Sequence, residues 1–139
     1  MDYNKVTEWY LKIRDDFKVY TYYVGYDPWN ANYWIDQMKE IGFDMIQVRQ
    51  GAQTMSNPMK QLEADLIDKK VIYNNNPVLK WCLLNTSVFR DVNDNIRPIK
   101  GQKQRARIDG AVSLIIAYCV LFEKYNDYIN LQGGRAKDE

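Results

Sequence analysis

Histidine is absent from the 139 residues. The commonest general base is therefore missing, and any catalysis must use carboxylates, lysine, tyrosine, serine or a metal ion. Cysteine is scarce: Cys82 and Cys119 each sit among apolar neighbours, and neither has a CxxC partner. With no histidine to complete a ligand set, this pattern argues against a zinc site or a disulfide framework and makes a reducing intracellular setting the default. Long apolar runs are missing too. The longest, Ala111 to Phe122, is interrupted by Ser113 and falls well short of the roughly 20 residues that span a bilayer. The opening MDYNKVTEWY is polar and charged, unlike a secretory signal. No glycine-rich phosphate loop is present, since GQKQRARIDG lacks P-loop spacing. Nor does one sign of charge dominate: the formal net charge is +1, so any partner preference must come from local clustering.

What is present is enough apolar material for a core, with 46% hydrophobic and 14% aromatic residues. The length suits one compact domain, expected over residues 1–132 with a flexible tail over 133–139. Val6, Trp9, Tyr10, Ile13 and Phe17 form a helical stripe that predicts a helix from about Asn4 to Phe17. KVYTYYVGY reads as a strand ended with help from Gly25. Asp27-Pro28 offers an N-cap and N1 proline for a helix that Gly42 stops. DMIQV reads as a short buried strand and RQGAQTMSN as a loop. Pro58 opens a helix with Met55, Met59, Leu62 and Leu66 on its apolar stripe, and KVIY is a brief strand. Asn76-Pro77 then opens a helix over VLKWCLL. TSVFR and IRPI flank DVNDN, which has hairpin-turn chemistry. A last helix is expected from about Lys103 to Tyr125. The alternation predicts an α/β fold, a layer of mixed, partly parallel sheet flanked by helices, with a late hairpin and a long buried C-terminal helix.

Three features could carry chemistry. Asp27 falls where a strand ends and a helix begins, the edge of an α/β sheet where ligands gather; as an ordinary N-cap it needs no such role. Asp109 borders an apolar helix. A carboxylate there suits the helix dipole or a salt bridge to Arg105. It could equally face a partly buried cleft, where a cation or metal must meet it. Arg97, Lys100, Lys103, Arg105 and Arg107 form a basic stretch with no acid between Ile96 and Ile108. It is either a solvated loop or a strip that contacts phosphates. Two distant aspartates of this kind suit two-metal phosphodiester hydrolysis, with Mg²⁺ or Mn²⁺ ions about 3.5–4 Å apart. Such hard cations take oxygen ligands and do not require histidine.

The ordered set YDPWNAN, VRQG, NNPVL and RIDG resembles the C-terminal nuclease part of tailed-phage terminase large subunits, over about Tyr3 to Tyr125. The resemblance implies a ribonuclease H-like fold and metal-dependent endonucleolytic cleavage of concatemeric double-stranded DNA during packaging. It makes Asp27 and Asp109 the catalytic, metal-binding acids, sharing one metal-centred cleft with Mg²⁺ or Mn²⁺. It turns Lys100, Lys103, Arg105 and Arg107 toward DNA. The setting it implies is the cytoplasm of a bacterial host. In that family the first catalytic aspartate lies on strands that would precede Tyr3, and the ATPase motor lies outside this chain. Asp2, Asp15 and Asp16 sit on or beside the first helix and do not replace that acid. The chain is therefore expected to be a fragment, a split-gene product or a remnant with little activity alone. Its exposed sheet edge would pair with the remaining terminase segment, the portal or a second copy. Two other classes remain open: a non-catalytic interaction module, and a small DNA-binding domain that needs neither aspartate.

Overall fold

The structure is a computed structural model that describes residues 2–29, 32–102 and 105–138, with side chains to residue 133. It is an α/β chain whose backbone forms two compact units, residues 1–48 with 124–139, and residues 49–123. Its strands make two separate two-stranded sheets, one parallel and one antiparallel.

The first unit begins with helix α1 (Tyr3–Phe17), capped by Asp2, whose carboxylate accepts the Asn4 N–H. Strand β1 (Tyr23–Tyr26) covers only the end of the stretch expected to be extended. Helix α2 (Asn32–Ile41) starts later than the Asp27-Pro28 pair suggested. Gly42, at φ +102, ends it. The Phe43 N–H reaches Met38 O and the Gly42 N–H reaches Lys39 O, both at 3.0 Å, which satisfies carbonyls the helix end leaves open. The chain is thereby aimed into β2 (Asp44–Gln47), which pairs in parallel with β1. Val24, Trp34, Ile35, Met38 and Phe43 form the core, with Tyr3, Val6, Tyr10 and Leu11 of α1 packed on it. Buried Thr7 joins the two helices. Its hydroxyl accepts the Trp34 indole N–H at 3.1 Å, and its own proton serves Tyr3 O or Gln37 Oε1. Helix α6 (Tyr125–Asp138) belongs to this unit and carries helical backbone through Gly133 and Gly134, where the sequence suggested a tail.

The second unit is built around α3 (Ala52–Ile67) and α5 (Asp109–Glu123). The expected loop RQGAQTMSN is largely helix, because α3 begins six residues before Pro58 rather than at it. A proline inside a helix removes one N–H and leaves the carbonyl four residues back without its donor. Here that carbonyl is Thr54 O, and the Cys119 thiol of α5 lies 3.9 Å from it. Burial pushes that thiol up to about 11, which keeps it a neutral S–H donor. α4 (Pro77–Asn85) is opened as expected by Asn76, whose side chain accepts the N–H groups of Val78 and Leu79 at 3.0 Å. KVIY is not a strand. Lys69 before it and Asn74 and Asn75 after it are all left-handed, and Ile72 is 87% exposed, so this segment meets no ladder partner. Strands β3 (Thr86–Arg90) and β4 (Ile96–Lys100) form the expected hairpin. Asp91 closes its turn by accepting the N–H groups of Asn93 and Asn95 at 2.8 and 2.9 Å. The buried Ile96 N–H donates to Ser56 Oγ at 3.1 Å, which pins β4 to α3.

Candidate metal and DNA-contact residues

Asp27 follows β1 directly, at the carboxyl end of a parallel strand. The Val48 N–H donates to Tyr26 O at 2.9 Å, so the backbone is tied down up to the residue before the aspartate. Asp27 is half-buried, and its Oδ1 accepts the Trp29 N–H at 3.2 Å. This bond to the second residue on is that of an Asx turn. Pro28 and Trp29 lie in a bend and turn rather than in helix, and the rest of YDPWNAN at 30 and 31 lies outside the described residues.

Asp109 is the first residue of α5. The Val112 N–H bonds to Ile108 O at 2.9 Å, so the helical ladder starts at Ile108 and the carboxylate sits among the first-turn N–H groups, where a negative charge is favoured. The expectation of a partly buried cleft is corrected: Asp109 is exposed. Its helix turns its packed face inward only from Ala111, with Ile115, Cys119 and Val120 following. No ion pair among the described residues joins Asp109 to Arg105.

The backbone before Asp109 is fastened at both ends to one residue of α4. Gly101 donates its N–H to Asn85 O at 3.0 Å, and Asn85 Nδ2 donates to Arg107 O at 3.4 Å. A Cβ at Gly101 would come within 3.1 Å of Asn85 O, a contact tight enough that the backbone would have to give by a few tenths of an ångström to admit a side chain. Ala106 is buried while its neighbours Arg105 and Arg107 are exposed. The alternation holds the segment down by one small side chain and turns two guanidinium groups outward. Lys100 is exposed at the end of β4. Lys103 lies outside the described residues. Arg97, also in the basic stretch, has its guanidinium 4.8 Å from the centre of the Phe89 ring.

Gly110 supports the helix start in a way that spacing could not reveal. A Cβ there would lie 3.2 Å from Cys82 Sγ, 3.4 Å from Cys82 Cβ and 3.5 Å from Leu79 Cδ1. The glycine of RIDG thus lets α5 approach α4 closely, and that approach sets where the Asp109 backbone stands.

The donor type suits hard divalent cations, because both candidates are carboxylates. No group of three Asp, Glu, Cys or His side chains is arranged to hold a metal among the described residues. Asp27 and Asp109 belong to different compact units, and each is placed here within its own.

Residues 1–124 match the terminase large subunit, endonuclease domain family. The chain belongs to this family. It is 31% identical over 117 residues to Protein YmfN of Escherichia coli (strain K12), a match spanning 79% of this chain and 26% of that protein. The fold is similar to that in the crystal structure of the HK97 bacteriophage large terminase, with a TM-score of 0.73 and 24% identity over 86% of this chain and 25% of that one. The chain thus spans about a quarter of the length of these relatives. The α/β class expected from the sequence agrees with this likeness of fold. Among the described residues, no helix is long and apolar enough to cross a membrane.

Proposed function

We propose that this chain contributes metal-binding and DNA-facing residues to a phage packaging nuclease that cuts concatemeric double-stranded DNA. Family membership over residues 1–124 carries the reading. The arrangement before α5 supports it: a strapped segment presents Arg105 and Arg107 outward and leads directly into the exposed Asp109. Asp27 and Asp109 would hold Mg²⁺ or Mn²⁺. The ions would supply Lewis-acid chemistry at the phosphodiester. Lys100, Lys103, Arg105 and Arg107 would neutralise phosphates and fix the strand's position without reading bases. Two carboxylates balance only half the charge of two divalent ions, so a third acid from another segment or chain would complete the set. Little or no cleavage is therefore expected from this chain alone with Mg²⁺.

The test pairs Mn²⁺ titration with plasmid nicking for wild type, Asp27→Ala and Asp109→Ala. The reading expects measurable Mn²⁺ binding that either substitution weakens, with faint nicking at most. Unchanged Mn²⁺ binding in both variants would remove the metal assignment. Robust wild-type nicking lost in both would show that the chain needs no further acid.

A second reading, a module that binds another protein without cutting DNA, is favoured by one observation. α4 carries apolar side chains beyond its packed face: Cys82 is buried, while Trp81 and Leu84, on other sides of the helix, are 46% and 77% exposed. A helix apolar all round is normally covered on both sides. Concentration-dependent self-association, or capture of a separate terminase segment or portal protein, would support this reading if Mn²⁺ binding were absent.

A further inference from the structure

Arg97 is exposed, yet its surroundings hold it in place. Its backbone lies between two fixed points: the Ile96 N–H is bonded to Ser56 Oγ at 3.1 Å, and Pro98 has a restricted φ. Phe89 stands opposite Arg97 in the hairpin register, and the guanidinium rests 4.8 Å from the centre of that ring. Stacking of this kind orients the guanidinium plane and leaves the N–H groups around its edge to meet a ligand. No carboxylate among the described residues forms an ion pair with it. Beside it, within the second unit, lies a cavity of about 210 Å³ lined by Gln50, Gly51, Met55, Arg97 and Pro98. That is room for several waters. The lining contains no acid, and its one charged group is the guanidinium. Gln50 and Gly51 belong to VRQG, a stretch of the family set that the metal and DNA roles above leave unused. Gly51 has φ +154, a region open to glycine. A Cβ there would meet nothing within 4 Å, so the missing side chain leaves that wall of the cavity clear.

We propose that Arg97 clamps one backbone phosphate of the duplex at this cavity through two parallel N–H···O bonds, and so fixes the register of the DNA along β4. The proposal rests on the nucleic-acid reading above and adds to it a contact that depends on shape as well as charge. The planar guanidinium fork matches a phosphate bidentately, whereas an ammonium meets it as a point charge. The ring beneath the guanidinium and the pinned backbone reduce the freedom lost when the anion arrives. Met55 and Pro98 give the cavity an apolar side that suits the sugar next to the phosphate. The cations continue from Arg97 through Lys100 to Arg105 and Arg107, with no acid between Ile96 and Ile108. That run favours a polyanion over a single acidic side chain of a protein.

The experiment is fluorescence anisotropy of the full chain in EDTA with a blunt mixed-sequence duplex, repeated over a range of salt. Working without metal separates the clamp from the carboxylates. Arg97→Lys keeps the charge and loses the fork. It should weaken duplex binding about tenfold, the weight of one charge-assisted hydrogen bond, and leave the salt slope unchanged. Arg97→Ala should weaken binding further and flatten the slope by about 0.9, the release expected for one phosphate. Phe89→Leu, which removes the ring under the guanidinium, should also weaken binding, and the double variant Phe89→Leu with Arg97→Lys should bind no worse than Arg97→Lys. The unfolding midpoint of Arg97→Lys should match wild type, which separates the loss of contact from a loss of fold. Wild-type affinity in Arg97→Lys would mean that charge alone counts and would overturn the clamp. Unchanged affinity and slope in Arg97→Ala would also overturn it, and would place any anion at this cavity on a protein rather than on DNA. If the duplex responds as stated while the aspartate variants keep their Mn²⁺ binding, the metal assignment fails and the clamp stands. If the aspartate variants lose Mn²⁺ while Arg97→Lys binds as wild type, the clamp fails and the nuclease reading stands.

Discussion

Gly110→Ala places a methyl group 3.2 Å from Cys82 Sγ, a separation that requires α4 or the start of α5 to yield by a few tenths of an ångström. Overpacking of this kind costs about 1–3 kcal/mol. Restricting the unfolded chain gives back about 0.4–1 kcal/mol, so a net loss of roughly 0–2.6 kcal/mol is expected from those two ranges. Cys82→Ala alone removes one buried heavy atom at a site 4% exposed, a loss of about 1 kcal/mol by analogy with a buried methylene. In the double variant the sulfur is gone, and the remaining neighbours at 3.4 and 3.5 Å are in ordinary contact with the new methyl, which occupies part of the vacated space. The double variant should therefore be more stable than the sum of the singles by about 1–2 kcal/mol, within the range seen for touching residues. Urea unfolding of the four proteins measures the cycle. Mn²⁺ titration adds a functional arm: Gly110→Ala should weaken binding through the displaced Asp109 backbone, and Cys82→Ala should restore it. Additivity within about 0.5 kcal/mol would refute the account of Gly110 as a close-approach residue.

The other expectations follow from single bonds, charges or titrations. Replacing Lys100, Arg105 and Arg107 with Ala should flatten the dependence of log DNA affinity on log salt by about 0.9 for each phosphate no longer neutralised, and an unchanged slope would place the DNA path elsewhere. Ser56→Ala leaves the buried Ile96 N–H without its acceptor and should cost about 1–3 kcal/mol in urea unfolding; a neutral result would contradict the pinning of the hairpin to α3. The Asn95 N–H, then the Asn95 side-chain amide and the Asn93 N–H, hold the Asp91 carboxyl below its usual range. Its contribution to the hairpin is therefore fully present above the ordinary Asp pKa and lost as pH falls through the lowered value, which a carboxyl NMR titration would follow. Cys119, pushed up to about 11 by burial, should stay unalkylated at neutral pH. Its folded state retains a proton that the unfolded state loses first, so stability should fall between about pH 8.5 and 11.

The parts of this fold that sequence made legible are those fixed by local chemistry. Gly42 stops α2 because its positive φ is open to glycine. Asn76 opens α4 with its own side chain, and Asp91 closes the hairpin turn with bonds to residues at most four away. The misread parts depend on distant groups. RQGAQTMSN looks like a loop when Pro58 is taken as a helix opener, yet α3 starts at Ala52 within it. That helix has a thiol 65 positions away beside the carbonyl that the proline leaves without a donor. KVIY has strand-like residues, yet left-handed backbone on both sides isolates it from either sheet.

The site shows the same division, and Asp109 shows where the local rule stops. A carboxylate at the head of an apolar helix suggested partial burial, on the assumption that the whole helix is enclosed. Enclosure is a property of the packed face, which begins at Ala111, and the first residue of α5 stands outside it. What holds Asp109 in position is therefore the closeness of α5 to α4 at the next residue, through the missing side chain of Gly110. The strap from Asn85 to Gly101 and Arg107 holds the chain leading into it. Among the described residues Asp109 makes no ion pair with Arg105 or Arg107, and both guanidinium groups stay turned outward beside it. This is an arrangement that a buried aspartate paired to Arg105 would have forfeited.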